Sequence, residues 1–193
     1  MTRRRFRRSL TTERLTLRWL SVDNAALMLA VWNDPDFVRF VGDRGIRTLD
    51  EARDAIVDGI LAMYRDHGYG PYRVATKDGD EPAGICGLFR RAYLDDPDIG
   101  FGLLPGFRRR GYAGEAARSV LEEAKAKGLD RVTAIVSPEN AASIALIERL
   151  GLSLAERIRP PGEKRDQRTR SPARCRPPSA RRPSRADAGR SAG

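Results

Sequence analysis

The sequence predicts a mixed α/β fold, with a central sheet flanked by helices. Two observations carry the class. Tyr72 to Thr76 and Ala83 to Phe89 read as strands turning back on each other around Asp78, Gly79 and Asp80. Further along, segments of the same kind alternate with stretches of helical period. A length of 193 residues, 40% of them hydrophobic, adds the scale and suits one domain with one core.

Taken in order, Arg14-Leu-Thr-Leu-Arg-Trp-Leu20 alternates as a half-buried strand does. Ser21 or Asp23 can cap the apolar helix that follows to about Asn33. Thr48-Leu-Asp-Glu51 has the spacing of a capping box. After it, Ala52, Ile56, Ile60 and Met63 recur at helical spacing until Gly68 can end the helix. A strand over Asp98 to Leu104 leads through Pro105 and Gly106 into Phe107-Arg-Arg-Arg-Gly-Tyr-Ala-Gly-Glu115, where a helix opens. Its stripe is Ala116, Ala117, Val120, Leu121 and Ala124, and Gly128 can terminate it. Arg131 to Val136 reads as the next strand. Ser137 and Pro138 suit the cap and first turn of a helix lined by Ile144, Ile147 and Leu150; Gly151 ends it, and Ser153 to Ile158 reads as a last strand.

The net charge of +10 is not spread over a binding face. Residues 157–193 hold twelve basic and three acidic residues, and Arg3, Arg4, Arg5, Arg7 and Arg8 crowd the start, so residues 9–156 carry a net charge of −4. Nucleic acid is therefore not expected as a partner of the folded body, only of the basic ends. The longest unbroken apolar stretch, Ala25 to Trp32, falls well short of the roughly 18 residues of a membrane span, and no apolar signal segment follows the first arginines. The expectation is a cytoplasmic protein with no membrane partner. Cys86, Cys175 and His67 are too few for a usual four-ligand metal site or a disulfide framework, so no metal is expected.

The segment richest in chemistry is Arg108-Arg-Arg-Gly-Tyr-Ala-Gly114, between a strand and a helix. Small residues at 111, 113 and 114 let backbone amides approach a ligand, and the free amides of a helix start favour an anion such as a diphosphate. No Gly-Lys-Ser or Gly-Lys-Thr follows and the Gly-x-Gly-x-x-Gly pattern is absent, so neither a Walker loop nor a dinucleotide fingerprint is present. A purely structural strand-to-helix turn would use the same residue types.

Here the chain resembles the GNAT superfamily of N-acetyltransferases, particularly its branch of ribosomal-protein-alanine N-acetyltransferases. Arg108-x-x-Gly111-x-Ala113 resembles that family's acetyl-CoA pyrophosphate loop. Thr12 to Leu20 is similar to the branch's opening strand, Trp32 to Arg39 to the loop between its first helices, Asp98 to Pro105 to its central strand, and Asn140-x-x-Ser143 through Gly151 to its last helix. The resemblance spans residues 11–163 and implies the acyl-CoA N-acyltransferase fold with acetyl-CoA as cosubstrate. It implies that the amides of Arg109, Arg110, Gly111, Tyr112, Ala113 and Gly114 hold the diphosphate, with Arg108 opening the motif. Leu103 and Leu104 would offer main-chain groups to the pantetheine arm, Asn140 would contact that arm, and Ser143 would lie near the thioester sulfur. Each has a plainer reading: Leu103 and Leu104 as core, Asn140 as a first-turn residue, Ser143 as a site of close helix packing, and the arginines as a solvated run.

Acetyl transfer to an amine needs an unprotonated nitrogen. At neutral pH that costs about 1 kcal/mol for a chain's α-amine and nearly 5 for lysine, by their ordinary pKa values. Asp98, at the start of the central strand, is the candidate proton acceptor, and a residue of the turn is the alternative. Many family members carry a tyrosine seven residues beyond the helix Asn; here that position is Ile147, which leaves Ser143 as the candidate donor to the departing thiolate. Glu115 is expected to support the helix entry, with His67 and Cys86 structural. The acceptor is either a protein N-terminus or a small amine of aminoglycoside or polyamine type.

The family closes its sheet with one more apolar strand, whereas Gln167 to Pro172 offers no alternating apolar face, so the final strand is expected to be missing. The expected organisation is a basic extension over 1–10, the acetyltransferase domain over 11–163 and an Arg/Pro-rich disordered tail over 164–193. That tail reads either as a polyanion-binding segment or as a frame-altered end. In the latter case the chain would be an inactive remnant.

Overall fold

The computed structural model describes residues 6–153. Five strands, β1 (Ser9–Thr11), β2 (Leu15–Trp19), β3 (Pro71–Thr76), β4 (Pro82–Phe89) and β5 (Asp98–Leu103), form a sheet in that order with every neighbour antiparallel. The helices are α1 (Ala25–Trp32), α2 (Pro35–Phe40), α3 (Leu49–Ala55), α4 (Ala62–His67), α5 (Tyr112–Ala126) and α6 (Ala141–Arg149). A π-helical turn, Ile56–Leu61, joins α3 to α4.

Alternation along the strands sorts residues to two faces. Leu15, Leu17, Val74, Cys86, Leu88 and Ile99 join Ala116, Ala117, Val120 and Ala124 of α5 in one core. The other face carries Ile85 against Met28, Val31, Trp32, Ala52, Ile56 and Ile60 of the α1–α4 layer. The Thr48 capping box forms as the spacing predicts: Thr48 Oγ1 accepts from the Glu51 amide at 3.2 Å, and Glu51 Oε2 accepts from the Thr48 amide at 2.9 Å. Gly68 ends α4 at φ +76°, where a side chain would be strained.

Several elements differ from the sequence expectation. Asp34-Pro35, read as loop, starts α2: Asp34 Oδ1 accepts from the amides of Asp36 and Phe37 at 3.1 and 3.2 Å, and Pro35 takes the first helical position. The extension expected over 1–10 contributes buried Phe6 and most of β1. The strand expected over 131–136 shrinks to one parallel bridge, Asp98 with Thr133, so among the described residues that bridge alone carries the mixed character of the sheet. Ser137 and Pro138 do not cap α6. They precede a turn, and Asn140 is the N-cap, its Oδ1 accepting from the Ser143 amide at 3.0 Å. The last strand expected over 153–158, the missing final strand and the tail lie outside the described residues, apart from Ser153.

Candidate active site

The parallel bridge determines where the sheet opens. Ile99 donates to the Thr133 carbonyl at 2.7 Å and Thr133 to that of Pro97 at 2.8 Å, after which the two segments part. On its other side β5 bonds β4 through its even residues, ending with the Leu104 amide on the Ala83 carbonyl at 2.9 Å. Antiparallel alternation therefore turns the backbone of Phe101 and Leu103 toward the gap. Leu103 lies at this edge and lines the cleft. Leu104 does not, because its amide is committed to the sheet and its side chain packs on the α1 core.

The gap opens into a cleft of about 1190 Å³ between β5, the 105–111 loop and the N-terminal ends of α5 and α6. Arg109, Gly111, Tyr112, Ala113, Gly114, Asn140 and Ser143 all line it. The loop takes left-handed backbone at Arg109 (φ +59°) and Gly111 (φ +81°). Gly111 caps α5 without a side chain and no other side chain among the described residues replaces one, so the first-turn amides remain for a ligand. At Gly114 an added Cβ would stand 3.1 Å from Leu146 Cδ1, so this glycine also lets α5 and α6 meet closely.

Two ionic clamps hold the loop. Glu115 Oε1 accepts from the Arg14 amide at 2.8 Å and the Thr12 hydroxyl at 2.5 Å, and its Oε2 accepts from Arg14 Nε at 2.8 Å. Arg14 also donates to the Arg110 carbonyl at 3.0 Å and covers the Tyr112 ring at 4.8 Å. Partial burial works to raise the Glu115 carboxyl, but the Thr12 and Arg14 donors hold it below the ordinary carboxylate range. At the other end Arg108 donates to the Leu103 carbonyl at 2.9 Å, to Asp36 Oδ2 at 2.7 Å and to Asp34 Oδ1. The motif arginine thus spends its guanidinium on protein, and Arg110 packs over Phe107 outside the cleft lining. The cations left lining the cleft, with no carboxylate partner among the described residues, are Arg109, Arg118 and Arg149. Sequence reasoning did not assign Arg118 to the site; its place one turn beyond Gly114 on α5 was the available signal.

A second cavity, of about 250 Å³, meets this cleft at Asn140 and Ser143, which line both. Asp98 lies in its wall, 2% exposed, with both carboxylate oxygens accepting from Arg91 Nε at 3.0 Å. Burial pushes the Asp98 carboxyl above the usual range, against the pull of the Arg91 guanidinium. Ile147, at the position of the family's tyrosine, is buried in the first core and also lines this second cavity. Cys86 is fully buried and His67 stacks on Tyr69, away from both cavities. No group of metal-ligating side chains is found among the described residues, and no helix there is long and apolar enough to cross a membrane.

A sheet that parts beside an uncapped helix start is what the resemblance to an acyl-CoA-dependent acyltransferase implies. The profile of the acetyltransferase (GNAT) domain matches residues 14–153, and the chain belongs to that family. It is an acetyltransferase. It is 28% identical over 147 residues to the uncharacterised N-acetyltransferase p20 of Bacillus licheniformis, covering 74% of this chain and 80% of that one. Its fold superposes on an acetyltransferase from Agrobacterium tumefaciens str. C58 with a TM-score of 0.70 at 26% identity, over 84% and 92% of the two chains. The ribosomal-protein-S5-alanine acetyltransferase of Vibrio fischeri shares the fold at 14% identity, with a TM-score of 0.67 over 84% and 93%. The microcin C7 self-immunity acetyltransferase MccE, solved with acetyl-CoA and AMP, does so at 15%, with 0.66 over 82% and 89%. Acetyl-CoA is the cosubstrate this family implies, and the residues present fit it: unsatisfied helix amides for a diphosphate, cations around them, and an open strand edge leading to Ser143.

Proposed function

We propose that the protein transfers the acetyl group of acetyl-CoA directly, in a ternary complex, to a primary amine of α-amine basicity, such as a polypeptide N-terminus. The observation that carries this reading is the meeting of the two cavities at Asn140 and Ser143. One cavity leads from the anion-binding turn, the other from a buried carboxylate. Acetyl-CoA supplies an activated acyl group. The bound solved neighbour MccE supports that choice of cosubstrate.

In this reading the amides of Arg109 and of residues 111–114 and the Arg118 guanidinium hold the diphosphate, while the Phe101 and Leu103 backbone aligns the pantetheine arm. Asn140 caps α6 and so fixes Ser143 at the junction. The ammonium would first lose one proton toward Asp98, directly or through water; the free amine nitrogen then bonds to the thioester carbon as the carbon–sulfur bond breaks, its second proton passes through water to the thiolate, and Ser143 hydrogen-bonds the departing sulfur. Asp98 is the one carboxylate lining the second cavity among the described residues, and Arg91 already engages both its oxygens. A base so restrained suits an amine whose deprotonation costs about 1 kcal/mol rather than nearly 5. Positioning of two bound reactants supplies much of the remaining rate.

Thiol release from acetyl-CoA, measured with N-terminal peptides and small amines, tests this reading. We expect turnover with an α-amine, about a hundredfold loss of kcat in Asp98→Asn, and loss of the acidic limb of the pH–rate profile in that variant. That limb lies above the ordinary carboxylate range because burial raises the Asp98 carboxyl. An unchanged acidic limb in Asp98→Asn would reject the carboxylate as proton acceptor, and no thiol release with any amine would reject the function.

A further inference from the structure

The second cavity has a composition unlike a site for a polycation. Its walls are largely apolar, with Met28, Trp32, Ile60 and Met63 on one side and Phe37 and Phe40 shared with the cofactor cleft, and of its polar groups Asn140 and Ser143 stand at that junction. The single carboxylate in this cavity is already bonded to Arg91, and a second guanidinium, Arg44, lines the same space. A second ammonium would find no further carboxylate in the lining among the described residues, only two guanidinium groups, neutral polar groups and apolar surface. The space of about 250 Å³ is that of roughly eight waters, the size of one large amino-acid side chain.

The π-helical turn shapes the mouth of this cavity. Such turns break the regular helical register and recur at functional positions. Here Ile56 and Ile60 stay buried, while Gly59 lies exposed at the cavity rim beside Met63. A Cβ built on Gly59 meets nothing within 4 Å, so a side chain at this rim position has room.

We propose that this cavity receives the apolar body carrying the acceptor amine. The enzyme's substrates are then monocationic amines on an aliphatic or aromatic body of side-chain size, and Gly59 sets how much of that body is admitted. The assignment rests on the acetyltransferase reading and narrows it: a peptide beginning with a large apolar residue and a free amine of the same body share the required chemistry, whereas polyamines and aminoglycosides do not.

The test compares thiol release by the full chain with leucinamide, glycinamide, hexylamine, a Leu-initiated peptide, spermidine and an aminoglycoside. Leucinamide and hexylamine should exceed glycinamide by about tenfold or more in kcat/KM, and comparison of leucinamide with the peptide separates the free amine from the N-terminus. Gly59→Phe should lower the leucinamide-to-glycinamide ratio by about tenfold. A polycation as best substrate, or a ratio unmoved by Gly59→Phe, overturns the proposal. Occupancy is read without turnover from tryptophan fluorescence, since Trp32 lines the cavity and the only other tryptophan, Trp19, stacks on Tyr64 outside it. A saturable change with leucinamide but no thiol release would uphold the cavity assignment and reject acetyl transfer; no saturable change would overturn the assignment.

Discussion

Glu115 and Arg108 act on the anion-binding turn from opposite ends, and neither needs to touch a ligand to do so. Glu115→Gln should destabilise the protein by about 1–2 kcal/mol in chemical denaturation, the usual loss for hydrogen bonds to a charged group. The sign with pH is set by the lowered Glu115 carboxyl: the folded chain holds that proton less tightly than the unfolded one, so the stabilisation is full above the ordinary glutamate range and disappears as pH falls through the folded value. Wild type and Glu115→Gln should therefore converge in stability as pH falls below the ordinary glutamate range and through the lowered Glu115 titration. Arg108→Lys should raise KM for acetyl-CoA more than it lowers kcat, because a point-like ammonium cannot serve the Leu103 carbonyl, Asp34 and Asp36 together. At this scale the loop's glycines were legible, since small residues before a helix have few other reasons to cluster. The partners of Arg108 were not, because Asp34 and Asp36 lie more than seventy positions away and only the fold brings them near.

Among the elements, α5 and the capped helix from Thr48 could be read from their caps and stripes because those signals are local. The same held for the hairpin of β3 and β4. The parallel segment near Thr133 could not: its alternating residues announce a strand, yet pairing depends on how long a neighbour runs beside it, and β5 leaves after one bridge. Likewise α2 was hidden by its brevity, although Asp34-Pro35 carried its start signal. Gly111→Ala tests the turn that opens α5. Its φ of +81° and the 3.3 Å approach of an added Cβ to Arg14 should cost about 1 kcal/mol or more and weaken acetyl-CoA binding, measured by calorimetry. A larger effect is expected within the sheet, where Leu17 is fully buried: Leu17→Ala should cost about 2–5 kcal/mol in denaturant unfolding.

Across the whole molecule, the sheet separates two apolar layers, and both cavities form where its β5 end loses a lateral partner. The charge division along the chain anticipated a mildly acidic body but not its use: Asp34, Asp36 and Glu115 are consumed in holding arginines around the cleft. Arg118→Ala should weaken acetyl-CoA binding about tenfold by isothermal titration, since Arg118 is one of the few unpaired cations lining the cleft among the described residues. The parting of β5 from the Thr133 segment has a readable dynamic signature. Main-chain protons of Phe101 and Leu103, aimed at a solvent-filled wedge, should swap for deuterium far faster than that of Leu104, which is tied to Ala83. Filling the wedge with acetyl-CoA should slow that swapping at those two positions, giving a label-free gauge of occupancy that needs no amine at all.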